Sequence, residues 1–131
     1  MAQRERPLSP FLHYRWQYTN TLSILHRITG VLLSLGFFLL IYWLAAVAGG
    51  PDRYDRALEL LGTFPVQLVL FGAAFAFCYH FLNGIRHLCF DAGLGFELAT
   101  ARKSAYATAA GAVLLALVVW FAVRAGMGGA A

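Results

Sequence analysis

Two short stretches gather most of the polar side chains that interrupt an otherwise apolar sequence. The first is Ser23-Ile24-Leu25-His26-Arg27-Ile28-Thr29-Gly30; the second is His80-Phe81-Leu82-Asn83-Gly84-Ile85-Arg86-His87, followed by Asp91. Intervals of seven and four residues separate His80, His87 and Asp91, so a helix carries all three on one face. Gly84 falls one turn beyond His80 on that face and removes a side chain where something large must approach. Ser23 and Arg27, four apart, share a face of a second helix. A neutral imidazole flanked by glycine on an apolar helix suits an axial ligand to heme iron. Arg86, Arg27 and a second histidine toward the wet end suit its anionic propionates.

The elements that must position these groups are membrane-spanning helices. The chain has 131 residues, of which 60% are hydrophobic and only 12% charged, and its mean hydropathy is +0.67. Three stretches without a charged residue, 28–48, 60–85 and 104–123, are each about long enough to cross a bilayer, which takes about 20 residues. This composition predicts an all-α membrane protein, a single transmembrane anchor domain over 1–131 with spans at about 23–48, 62–88 and 104–124. Gly49-Gly50-Pro51 stops the first helix, and residues 52–61 have the spacing of a short amphipathic helix. The second span starts near Gly62 to Pro65 and its helix runs to about Asp91, with Gly93 and Gly95 ending it. Thr19, Asn20 or Thr21 is the expected cap of the first helix. Leu8, Phe11, Tyr14, Trp16 and Tyr18 form an interfacial aromatic segment. The third span is Ala/Gly/Val/Leu-rich, with no polar residue beyond Thr108, and reads as packing scaffold.

Because the first span enters where the second leaves, the two polar groups meet at one membrane depth. Arg4, Arg6, Arg15 and Arg27 precede the first span, and Arg86, Arg102 and Lys103 lie between the second and third. In the other loop Arg53 and Arg56 are balanced by Asp52, Asp55 and Glu59. The asymmetry places the N-terminus in the cytoplasm and the C-terminus outside. With no cleavable-signal or transit-peptide pattern at the start, the expected location is a bacterial cell inner membrane, with the C-terminus periplasmic. The basic residues form no clustered face, which argues against nucleic acid. Cys78 and Cys89 are eleven residues apart and form no CxxC pair; both read as small buried residues.

Residue types alone leave several roles open. His80 is either the heme ligand or a core histidine bonding a neighbouring helix. His26, beside Arg27 at the membrane boundary, is read as solvated or propionate-bonding before iron-ligating. His87 lies further toward water, where propionate contact or pairing with Asp91 is favoured over ligation, and His13 has a surface role. Ser23 and Arg27 have the chemistry to hydrogen-bond a quinone carbonyl and stabilise charge developing on reduction; snorkelling of Arg27 to lipid phosphate is the other reading.

At these residues the sequence resembles the cytochrome b-type membrane anchor subunits of succinate dehydrogenase, respiratory Complex II, and specifically the larger of the two anchors. Arg6-Pro7-Leu8-Ser9-Pro10 opens the chain as in many members, Ser23 to Gly30 match the family's Ser-x-x-His-Arg-x-[Ser/Thr]-Gly signature, and His80 to Asp91 match His-x-x-x-Gly-Ile-Arg-His-x-x-x-Asp. The resemblance covers nearly the whole chain. It implies one part of a heteromeric helix bundle, with His80 as axial ligand to heme b and therefore to its iron, the second axial histidine coming from the smaller anchor subunit. It also implies Ser23 and Arg27 at the ubiquinone site, with His26, His87 and Arg27 near the heme propionates. The implied partners are a flavoprotein subunit, an iron–sulfur subunit, the smaller membrane anchor and membrane lipid. The chain has no flavin motif and no iron–sulfur cysteine pattern, so it is no catalyst alone. Alternatives are a heme-free structural anchor, which His80 argues against, and a quinol:fumarate reductase anchor of similar parts. A transporter or channel subunit would need polar residues spread through the membrane depth.

Overall fold

In a computed structural model the described residues, 18–128, form four helices and no strands: α1 (Tyr18–Ala48), α2 (Pro51–Gly62), α3 (Phe64–Asp91) and α4 (Leu98–Gly128). The opening Arg6–Pro10 segment, His13, Trp16 and the rest of the expected aromatic segment before Tyr18 lie outside the described residues. Three helices, α1, α3 and α4, are long and apolar enough to cross a membrane, so this is a multi-pass membrane protein.

Local chemistry sets most boundaries. After α1, Gly50 adopts φ +91°, a left-handed conformation glycine tolerates, and Pro51 opens α2 at once. The short helix expected over 52–61 is α2, with Ala57 fully buried against its neighbours. Thr63 is extended, and Pro65 sits in the first turn of α3. Gly93 and Gly95, at φ +80° and +82°, turn the chain after Asp91. Two expectations are corrected. Thr19, Asn20 and Thr21 do not cap α1, because the chain is already helical at Tyr18. Tyr18 docks on the start of α4, with its hydroxyl 3.5 Å from the Leu98 carbonyl and the Arg102 guanidinium 5.7 Å from its ring. Cys78 is buried as expected, whereas Cys89 is exposed on the α4 side of α3.

α3 is the central element, packed against both α1 and α4. Its contact with α4 is built on small residues: Ala101, Ala105, Ala112 and Ala116 are buried, and a Cβ at Gly111 would lie 3.2 Å from Leu82 Cδ1. Small side chains let the backbones approach closely, which drives association in lipid, where Leu gains nothing from leaving an equally apolar solvent. At the far end from the histidines Arg124 donates to Gln67 Oε1 (2.8 Å) and Phe71 meets Trp120 edge to face. α1 buries only Leu22, Thr29 and Ala46, and presents Leu32, Leu35, Phe38 and Ile41 outward.

Candidate heme and quinone site

The antiparallel crossing of α1 and α3 is locked by polar groups of α3 on backbone carbonyls of α1. Tyr79 donates its hydroxyl to the Leu22 carbonyl (2.8 Å), and the fully buried Asn83 reaches the same oxygen at 3.4 Å. A helix carbonyl keeps a second lone pair free beyond its own helical bond, which the shorter Tyr79 bond uses and Asn83 shares at longer range, without unwinding α1.

One turn along, the two histidines meet. The rings of His26 and His80 are stacked with centroids 3.9 Å apart and planes 8° from parallel. The His87 ring lies 5.1 Å from that of His26, tilted 48°. Each stacked histidine passes over a glycine of the opposite helix. A Cβ at Gly30 would lie 3.1 Å from His80 Cε1, and one at Gly84 would lie 3.8 Å from His26 Cε1. Both segments thus read His-x-x-x-Gly, and antiparallel packing pairs each imidazole with the other helix's gap. The large group at Gly84 is therefore His26.

Hydrogen bonding assigns the tautomers. His80 Nδ1 lies 3.1 Å from the His26 carbonyl, which can only accept, so Nδ1 carries the proton. The Thr29 hydroxyl donates back to the Leu25 carbonyl (2.8 Å) and turns a lone pair to the same Nδ1 at 3.3 Å. His80 Nε2 is left as the acceptor nitrogen, with no hydrogen-bond partner among the described residues. His26 is the opposite case. Its Nδ1 is enclosed with no partner among the described residues. An enclosed lone pair costs less than an enclosed unpaired N–H, so the proton sits on Nε2.

Ser23 is half-buried and Arg27 exposed on the adjoining face of α1, and neither hydrogen-bonds or ion-pairs with a described residue. Asp91 is exposed and makes no ion pair with His87 among the described residues. Arg86 is not where the propionate reading puts it. It is buried against α4, with Nε donating to Ser104 Oγ (3.0 Å) and Nη2 to the Ala101 carbonyl (3.3 Å). Six residues beyond His80 is about 240° around a helix, which carries Arg86 away from the histidine face. Sequence reasoning assigned no role to Thr29, Gly30, Tyr79 or Asn83; the repeated His-x-x-x-Gly spacing was the available signal for Gly30.

Three helices apolar enough to cross a membrane, two of which meet in a stacked histidine pair, make this a multi-pass membrane protein. Comparison with known proteins specifies the family. Residues 2–119 match the family described as succinate dehydrogenase/fumarate reductase transmembrane subunit. The succinate dehydrogenase cytochrome b556 subunit of Paracoccus denitrificans is 41% identical over 120 residues, covering 88% of this chain and 92% of that protein. The cytochrome b556 subunit of Rickettsia typhi is 36% identical over 118 residues, covering 88% and 91%. The mitochondrial cytochrome b560 subunit of Sus scrofa is 38% identical over 120 residues, covering 87% and 66%. The chain belongs to the succinate dehydrogenase/fumarate reductase transmembrane subunit family, as a cytochrome b-type membrane anchor of succinate dehydrogenase.

Proposed function

We propose that the chain binds heme b through His80 Nε2 and contributes Ser23 and Arg27 to a ubiquinone-reduction site, within an assembly of flavoprotein, iron–sulfur and smaller anchor subunits. The observation that carries this reading is the state of His80. Its Nδ1–H is held by the His26 carbonyl and Thr29, so the ring is oriented and its Nε2 has no hydrogen-bond partner among the described residues. A second hydrogen bond of this kind is what orients an imidazole for metal and raises its basicity. The cytochrome b names of the relatives point to the same group, and the residues present fit it. Heme b, when bound, would supply a one-electron redox centre.

His26 has the complementary role. A proton on its Nε2 would make it a donor suited to a heme propionate, with His87 next to it. Arg27 and Ser23, unengaged within the described chain, suit a quinone carbonyl, which gains negative charge on reduction and is stabilised by a guanidinium and a hydroxyl. A histidine of the smaller anchor would supply the other ligand to the heme iron. The bias of basic residues supports a bacterial inner-membrane location with the N-terminus in the cytoplasm, and a reporter fused after Ala131 that reads as cytoplasmic overturns that orientation.

The test is His80→Ala and His80→Tyr, read by optical and EPR spectra of the assembled complex. Loss or misligation of the heme in both variants is expected. An unshifted wild-type signal in both removes His80 as ligand and leaves His87 as the candidate.

A further inference from the structure

On the side of α3 opposite the histidines, a cavity of about 540 Å³ lies between α3 and α4. Its walls are apolar: Leu82, Ile85 and Phe90 on α3, Ala107 and Gly111 on α4, and Leu94 in the connecting turn. Arg86 and Ser104 line it toward the turn that joins the helices. The Arg86 side chain is 6% exposed and stacks on the Phe90 ring at 4.5 Å. Its two hydrogen-bond acceptors are neutral, a hydroxyl and a carbonyl. No carboxylate lines the cavity, and among the described residues none ion-pairs with Arg86.

A guanidinium keeps its charge under all ordinary conditions, and buried charges are almost always paired. Among the described residues Arg86 therefore lacks a counter-ion, and an anionic group beside it would complete its pairing. An anion joined to an apolar body fits, because Arg86 lines a mostly apolar groove between two helices long and apolar enough to cross a membrane. Arg102 and Lys103, exposed on α4 within a turn of Ser104, add positive charge at the same end. We propose that this cavity is a binding site for an anionic phospholipid of the bilayer, its phosphate paired with Arg86 and an acyl chain lying between α3 and α4. The site is separate from the heme and quinone residues and independent of their assignment.

Cys89 lines the cavity and is exposed, which gives a native reporter. The purified complex is stripped of lipid with detergent, and maleimide labelling of Cys89 is followed by peptide mass spectrometry. Phosphatidylglycerol micelles are expected to slow labelling at least tenfold, and phosphatidylcholine to have little effect. In Arg86→Gln the protection by phosphatidylglycerol is expected to disappear. Ala107→Trp, which fills the cavity and leaves Arg86 in place, is expected to lower phosphatidylglycerol retained per purified complex at least tenfold while the heme spectrum stays unchanged. Equal protection by both lipids means acyl filling without recognition of the anion, and overturns the proposal. So does Cys89 that is unreactive in the lipid-stripped complex, since a partner helix then covers the face. Undiminished retention in Ala107→Trp overturns it as well.

Discussion

Replacing Gly30 by alanine tests the packing of the histidine pair directly. The added Cβ would lie 3.1 Å from His80 Cε1 and 3.7 Å from Nδ1, where ordinary contact begins near 3.4 Å. The ring must retreat by a few tenths of an ångström. Retreat lengthens the 3.1 Å bond from Nδ1 to the His26 carbonyl and disturbs the 3.9 Å stack on His26. Overpacking of this size costs about 1–3 kcal/mol, and weakening one neutral hydrogen bond adds up to about 1 kcal/mol. Alanine also favours the helix over glycine by about 0.5–1 kcal/mol. Gly36→Ala isolates that gain, because a Cβ at Gly36, on the same helix, meets nothing within 4 Å. The net expectation is that the complex with Gly30→Ala is less stable than that with Gly36→Ala by about 1–4 kcal/mol. The assay is the half-life of the detergent-solubilised complex at fixed temperature, with the reduced-minus-oxidised heme spectrum recorded beside it. A shifted spectrum in Gly30→Ala alone is expected. Equal half-lives and identical spectra for the two variants would refute the close passage of His80 over Gly30.

Arg27→Ala should lower kcat/KM for quinone about tenfold or more, the scale of a lost charge-assisted hydrogen bond, while succinate oxidation by an artificial acceptor is unchanged; unaltered quinone kinetics would remove Arg27 from the site. Expressed without its partners, this chain should show no six-coordinate b-type spectrum, because it offers one well-placed axial nitrogen and the low-spin site needs two. A full bis-histidine spectrum from the isolated chain would contradict a shared site.

Much of the helix layout is legible because punctuation in this sequence is strong. Gly49-Gly50-Pro51 and Pro65 act through backbone geometry, which neighbours do not override. The start of α4 is less legible. Hydropathy places the span from residue 104, yet the helix begins at Leu98, since Arg102 and Lys103 fit a helix that leaves the hydrocarbon as well as they fit a loop. The meeting of the two polar stretches follows from antiparallel spans. What each group does there does not follow, because it depends on the rotation of α1 against α3. His26 reads as a boundary residue by neighbourhood and becomes half of a stacked pair by rotation. Arg86 shows the cost of reading by sequence proximity: beside His87 in the chain, it faces the other helix in space.

The hydrogen bonds at the crossing give a reason why the two histidines are not interchangeable. Both rings are half-buried and stack almost in parallel, so burial does not separate them. The backbone does. The His26 carbonyl takes the Nδ1 proton of His80, and Thr29 adds a second acceptor, so His80 turns a lone pair outward. No acceptor reaches Nδ1 of His26 among the described residues, so that ring holds its proton on the outer nitrogen. One segment of α1 therefore does three things. It stacks on His80, fixes its tautomer and offers an N–H of its own. A metal requires the first kind of nitrogen and a carboxylate the second. Exchanging the two histidines would keep the composition of the site and lose this arrangement, because the accepting carbonyl belongs to the backbone of α1 and stays there whichever side chain residue 26 carries.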